Sequence, residues 1–324
     1  MERNHNDSGI YKLTKIMHNM TKFWIVAALL PKFAWGQVFT SVSLENVKGS
    51  EPGDVRVASV SRDGRYALVT SMSNQGLERV TLDDGTRIRL TDNAGAGFSP
   101  VMSDDGLMVM HCSDIYDENH MLHTAVDVAD VSAGTSVRVM EPNRDLVSFH
   151  FDGAQAVVEN GVNTIRRRVG AKVSAAEDRP TVSCQDLKLQ LTRDGHTVTL
   201  TPNGDDEDTR YIWASISPDG TRILYHVSSE GTYVCDLNGE NVQFVAFDCL
   251  APQWYDDNTI VGMKEKDDDL FIVSSSIVAY TLDGARQQLT SDDEVLLYPY
   301  CSAESGRIVC TRQNGQMVIL SVKR

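Results

Sequence analysis

Seven residues between positions 111 and 123 gather the densest side-chain chemistry in this chain: His111, Cys112, Asp114, Asp117, Glu118, His120 and His123. Imidazole, thiolate and carboxylate groups are the ligands a transition metal takes, and His120 and His123 would reach one ion if the backbone turned tightly between them. Their spacing matches no established metal motif, so a polar loop without a metal is the expectation. Three acidic runs, Asp205 to Asp208, Asp267 to Asp269 and Asp292 to Glu294, supply the oxygen ligands that calcium prefers. None has the Gly and distal Glu of a calcium loop, so calcium is a weak reading and solvated hairpin tips the simpler one. No catalytic residue is assigned, because no phosphate loop, dinucleotide fingerprint, H-E-x-x-H or G-x-S-x-G motif occurs. A set of aromatic residues is the better lead: Phe98, Phe149, Phe151, Trp213, Trp254, Tyr255, Tyr298 and Tyr300. They would either stack a peptide or sugar or wedge neighbouring elements together. Of these, Phe149, Trp213, Trp254, Tyr255, Tyr298 and Tyr300, together with His120 and His123, form the expected binding surface.

What must position these residues is a repeat. Turns recur at Ser61 to Gly64, Ser103 to Gly106, His150 to Gly153, Ser217 to Gly220, Tyr255 to Asn258 and Ser302 to Gly306. Measured at the final Gly or Asn, the intervals are 42, 47, 67, 38 and 48 residues, close to one four-stranded propeller blade apart from the third. An apolar strand follows every turn, and Asp-Gly or Asn-Gly hairpins such as Asp84-Gly85, Asn238-Gly239 and Asp283-Gly284 join a further strand pair. Three residues before each turn stand Ala58, Pro100, Val147, Ala214, Pro252 and Pro299, a small or ring-constrained column expected on the strand lining the channel. No segment sustains a 3.6-residue apolar period, so helix should be nearly absent.

The fold expected is an all-β, six-bladed β-propeller of four-stranded antiparallel blades. The last turn leaves three strands before the C-terminus, and Phe39 to Val47 is free to supply the fourth and close the ring. The long interval reads as an insertion at about 163–180, containing Arg166-Arg167-Arg168; seven short blades fit the length almost as well. Residues 1–36 read as a leader and signal peptide, with basic residues, the apolar run Phe23 to Leu30 and a cleavage site near Gly36, leaving 37–324 as one exported domain, periplasmic or secreted. Eight apolar residues cannot span a bilayer, and no later segment is apolar enough to do so. The charge balance of 30 Lys plus Arg against 45 Asp plus Glu repels polyanions, so nucleic acid is not an expected partner. Of the six cysteines, Cys301 and Cys310 lie either side of one turn and could face each other across a hairpin, but small buried hydrophobes are the expectation for all six.

The recurrent Ser217-Pro218-Asp219-Gly220 turn, with Tyr211-Ile212-Trp213-Ala214 before it and Ile223-Leu224-Tyr225 after it, resembles the repeat of TolB-like propeller proteins. The stretches Gly231 to Leu237, Ala251 to Tyr255 and Ile260 to Met263 are similar to secreted TolB-like proteins of Bacteroidetes. The resemblance covers nearly all of 37–324 and is specific for fold and poor for function. It implies a non-catalytic module of the cell envelope that binds a protein, peptide or glycan. A glycan-active hydrolase or lyase with its site at the channel mouth is the alternative, and a purely structural propeller a third. Departures from the relatives' pattern are the missing nucleophile elbow of the propeller peptidases and the absence of room after Gly36 for the α/β domain of TolB itself.

Overall fold

The computed structural model describes residues 34–53, 55–144, 147–160, 163–170, 180–193, 196–268 and 270–324. Two strands precede the first blade, β1 (Ala34–Trp35) and β2 (Ser41–Asn46). Blade 1 holds β3 (Val55–Val60), β4 (Tyr66–Ser71), β5 (Leu77–Thr81) and β6 (Arg87–Thr91). Blade 2 holds β7 (Val101–Met102), β8 (Met108–Tyr116), β9 (Leu122–Asp130) and β10 (Thr135–Asn143). Two three-stranded blades follow: blade 3 with β11 (Val147–Asp152), β12 (Gln155–Asn160) and β13 (Asn163–Arg168), and blade 4 with β14 (Thr181–Gln185), β15 (Lys188–Arg193) and β16 (His196–Leu200). Blade 5 holds β17 (Tyr211–Ile216), β18 (Arg222–Val227), β19 (Gly231–Asp236) and β20 (Gln243–Ala246). Blade 6 holds β21 (Leu250–Asp256), β22 (Thr259–Asp267), β23 (Ile272–Thr281) and β24 (Ala285–Gln288). Blade 7 holds β25 (Leu296–Ser302), β26 (Arg307–Arg312) and β27 (Met317–Lys323), and β2 completes it by pairing Ser41 with Lys323 through Asn46 with Val318. Phe39, fully buried and held by the Gln287 side chain on its amide at 2.7 Å, anchors that closing strand.

The ring therefore has seven blades, not the six expected from the turns. The long interval contains two blades, each with three strands among the described residues. In blade 4 the described strands begin with the second, as the direction of β14 shows. Its start lies by the turn after β17, where a Cβ on Gly220 would stand 3.9 Å from Pro180, and the turn that ends it lies by the start of β17, where the Tyr211 amide donates to the Leu187 carbonyl at 2.8 Å. That is the direction of a second strand, in the innermost position. Among the described residues blade 3 has no fourth strand. The stretch read as an insertion thus supplies β13, while 171–179 lie outside the described residues. Residues 1–33, which carry the expected leader, also lie outside them; Ala34–Trp35 add a short parallel strand to the outer edge of blade 6.

The recurring turn explains why these residues fold this way. In blade 1 the Ser61 hydroxyl donates to Asp63 Oδ1 at 2.8 Å and accepts from the Tyr66 amide at 2.9 Å, while the Asp63 carboxylate accepts from the Arg65 amide at 3.0 Å. Gly64 closes the turn with φ +66°, a conformation that favours Gly. The same bonds recur at Ser103, Asp105 and Gly106, and at Ser217, Asp219 and Gly220. The serines are buried, so each hydroxyl must find partners inside the protein, and the Asp supplies one.

Six apolar clusters hold neighbouring blades together. For example, Val57 and Val69 of blade 1 pack with Val309 and Ile319 of blade 7, and Leu224 of blade 5 packs with Ile260 of blade 6. Among the described residues the junction of blades 3 and 4 has no such shared cluster; Thr181 bonds the Glu159 carboxylate there at 3.4 Å.

The small-residue column marks a backbone device. The residue before it takes positive φ in four blades: Ser99 at +47°, Trp213 at +54°, Ala251 at +44° and Tyr298 at +52°. The ladder slips at this point between Ile212 and Ser215, Leu250 and Gln253, and Leu297 and Tyr300. These are bulges in the innermost strands, and a small or cyclic residue follows each. The turn at Ser302 to Gly306 sets the register of the cysteines: Cys301 stands opposite Ile308 and Cys310 opposite Val318, so the two do not face each other, and all six thiols are free.

Candidate functional site

Because neighbouring strands run antiparallel, the ring has two unlike faces. The Ser-x-Asp-Gly turns and the hairpins between third and fourth strands lie on one, here the turn face. Links between second and third strands, and from blade to blade, lie on the other, the loop face. Among the described residues, eleven of the sixteen exposed large apolar side chains fall on the loop face and none in a Ser-x-Asp-Gly turn.

Two hairpins raise these residues above the ring, because their strands run nine or ten residues where most others run five or six. The β8–β9 hairpin carries Ile115, Tyr116, Met121 and Leu122. Hydrogen bonds fix it to its neighbours: the Asp114 amide donates to the Ala94 carbonyl at 2.8 Å, Asn93 to the Ser113 hydroxyl at 2.8 Å, and the Gly97 amide to the Asn74 carbonyl at 3.1 Å. Exposed Phe98 and Met72 sit on those same loops. The β22–β23 hairpin carries Leu270 and Phe271, 81% and 68% exposed, at its tip. The Asp268 carboxylate accepts from both their amides, at 3.1 and 2.8 Å, so the tip is an ordered turn. Val273 and, on the adjoining loop, Phe247 are exposed beside it. Acid surrounds both patches, with Asp114, Asp117 and Glu118 at the first and Asp267 and Asp268 at the second.

The candidate ligands between 111 and 123 are dispersed. His111 and Cys112 are buried in β8, where burial lowers the His111 pKa against a bond to the Cys112 carbonyl, and burial pushes the Cys112 thiol up to about 12. Asp117 holds the Asn119 and Met121 amides at 2.8 and 2.9 Å and meets His123 Nε2 at 3.1 Å. His120 is exposed at the hairpin tip, with φ +59°. Among the described residues no three His, Cys, Asp or Glu side chains converge to hold an ion. The three acidic runs all belong to the loop face, in loops and hairpin tips, with Asp269 outside the described residues.

The aromatics divide in the same way. Trp254 is buried, donates from its indole to the Ser215 carbonyl at 3.4 Å, and lies under the Arg222 guanidinium, which makes it a wedge between blades 5 and 6. Tyr255 meets Phe39 edge-on at 4.9 Å, near the closure. Tyr298 packs on the cluster shared by blades 6 and 7, Tyr300 on that of blades 7 and 1, and Phe149 and Phe151 on that of blades 2 and 3. Trp213 is exposed, on a bulge, with its ring 5.3 Å from that of His226. Burial holds His226 neutral, with its pKa lowered to about 4 although its bonding to the Cys249 carbonyl opposes this.

Most of the shifted carboxylates among the described residues are lowered. Asp63, Asp127 and Asp219 are held below the usual range: burial raises them, and hydrogen bonds from their neighbours outweigh it. Glu265, on β22, is the carboxyl raised among the described residues, by burial and by Asp267, and its Oε2 is buried without a partner there. Two clefts, of about 220 Å³ beside Thr70, Glu78 and Arg87 and about 90 Å³ beside Phe244 and Leu282, are smaller than the ~300 Å³ or more of ordinary ligand pockets. Among the described residues no helix is long and apolar enough to cross a membrane.

This geometry defines a β-propeller. No family model and no curated relative matches the chain. Solved structures do. TolB from Acinetobacter baumannii superposes with a TM-score of 0.49 at 14% identity, over 75% of this chain and 55% of that one, so this chain spans little more than half its length. An oligogalacturonate lyase from Vibrio parahaemolyticus matches at 0.44 and 12% identity, over 81% and 76% of the two chains. The Cps50 (Swd1) propeller domain of Myceliophteria thermophila matches at 0.53 and 10% identity, over 86% and 100%. Proteins so differently named share the ring, and the likeness is one of fold alone.

Proposed function

We propose that this chain is a non-catalytic, exported binding module that holds a protein of the cell envelope, or a peptide from one, against its loop face. The observation that carries the reading is the ordered β22–β23 tip, which places Leu270 and Phe271 in solvent on the face that also bears the β8–β9 patch. Burying a Leu or Phe side chain yields about 1.5–3 kcal/mol, so an ordered turn that exposes both is suited to a partner that covers them. Aliphatic residues such as Leu270, Val273 and Ile115 fit a protein better than a sugar. The acid around the patches favours a partner with basic residues around an apolar centre. In this reading Trp213, His120 and His123 belong to the contact surface, and Trp254, Tyr255, Tyr298, Tyr300 and Phe149 support the ring that presents it. A glycan-active hydrolase would draw on a carboxyl of raised pKa and an ionised one facing each other in one pocket; Glu265 and its neighbour Asp267 line neither of the two clefts.

The test places a photo-crosslinking amino acid at Phe271, at Tyr116 and, on the turn face, at Asp84, in the protein expressed in its native envelope. The reading expects one partner, joined through its basic segment at 271 and 116 and absent at 84. Equal capture at 84, or turnover of an oligosaccharide without any protein captured, would overturn it.

A further inference from the structure

Among the described residues no fourth strand covers the outer edge of β13, an edge that the other blades cover with a fourth strand. β13 pairs with β12 in register, Asn160 with Asn163 through Gln155 with Arg168, and the Val169 amide continues the ladder to the Ala154 carbonyl at 2.9 Å. Hydrogen-bonded pairs alternate along an antiparallel ladder, so residues 163, 165, 167 and 169 turn their N–H and C=O toward β12. Thr164, Arg166 and Arg168 must turn theirs outward, and no described residue pairs with that edge. All three are exposed, and their side chains share one face of the strand.

The edge is also the most basic stretch in a chain of formal charge −15. Arg166 holds Asp152 at 2.6 Å, Arg167 reaches the Arg138 carbonyl, and Arg168 projects from the end of the strand. Three arginines repel the same edge on a second copy, which guards against edge-to-edge aggregation and selects a guest of opposite charge.

We propose that the outer edge of β13 is a strand-addition site for an extended acidic segment of another protein, which completes blade 3 as its fourth strand. Backbone bonds to Thr164, Arg166 and Arg168 hold the guest, and carboxylates at alternate positions meet Arg166 and Arg168. This site is separate from the loop face and stands whether or not that face binds anything.

The test uses the full chain and a fluorescent heptapeptide alternating glutamate with valine, beside its lysine counterpart and a copy N-methylated on alternate amides. The glutamate peptide should bind and slow amide exchange at Thr164, Arg166 and Arg168 at least tenfold, whereas the other two should not. Arg166→Glu with Arg168→Glu should weaken binding at least tenfold. Arg166→Pro removes an N–H that points away from β12, so the fold should survive while binding is lost. The proposal is overturned if these amides are already slow to exchange without peptide, if the lysine peptide binds equally, if binding leaves the three amides unprotected, or if no binding occurs at millimolar peptide.

Discussion

The two faces of the ring are built on opposite rules. In three turns of the turn face the polar groups are committed in the same way: a buried Ser, an Asp and two backbone amides bond one another, and Gly closes the loop. On the loop face the backbone is equally well bonded, yet the side chains it presents, from Met72 and Phe98 to Leu270 and Phe271, have no partner to pack on and no repeat. Repetition thus marks what the fold requires, and its absence marks where a specific surface can be built.

Substitutions should separate the faces by size of effect. The largest concerns neither face but the closure that supports both: Phe39→Ala removes a fully buried ring and should cost about 3–5 kcal/mol in urea unfolding. On the turn face, Ser217→Ala leaves the Arg222 amide and Asp219 short of a partner and should cost about 1 kcal/mol. Leu270→Ser with Phe271→Ser should change stability by no more than about 0.5 kcal/mol while removing partner capture. A loss there as large as at Ser217 would mean the tip is structural.

Acid should act in two stages. His111, His150 and His226 are lowered by burial, His226 to about 4, so the unfolded chain takes up these protons first and stability falls as pH drops from about 6.5 toward 4. His226→Gln should flatten this stage in unfolding curves taken across the range. The turn carboxylates Asp63 and Asp219 have folded pKa values below the unfolded one, so their contribution is complete above about 4 and lost on further acidification. Glu265 has the opposite sign. Its raised pKa makes the ionised form unfavourable in the fold, so Glu265→Gln should stabilise the protein at neutral pH and make no difference below pH 4. The smallest effect is local: amides at the polar junction of blades 3 and 4 should exchange faster than those of the apolar junctions.

Much of the fold was legible in the sequence because its turns are local chemistry. Ser217, Asp219 and Gly220 specify their turn among themselves, and the closing strand followed from counting strands after Ser302. The count failed for the same reason. It rested on the turn between first and second strands, and among the described residues blade 4 has no first strand, so it left no turn to count. The register at Cys301 was hidden because it follows from which residues close the turn, and the pair Ser302 with Arg307 places Ile308, not Cys310, opposite Cys301. The candidate surface was less legible still. Whether Trp254 faces a groove or a neighbouring blade depends on which side of its strand meets Arg222, a tertiary fact. The signal available at the second hairpin was an apolar Leu270-Phe271 pair beside an acidic run at a predicted tip, where solvent alone would favour polar residues.

The claim that the loop face is the binding face is tested most directly by amide hydrogen exchange of the chain with and without its captured partner. Protection confined to 114–122 and 267–273, with the turns at 61–64, 103–106 and 217–220 unchanged, is the predicted result. Protection of those turns while both hairpins exchange as in the free protein would contradict it.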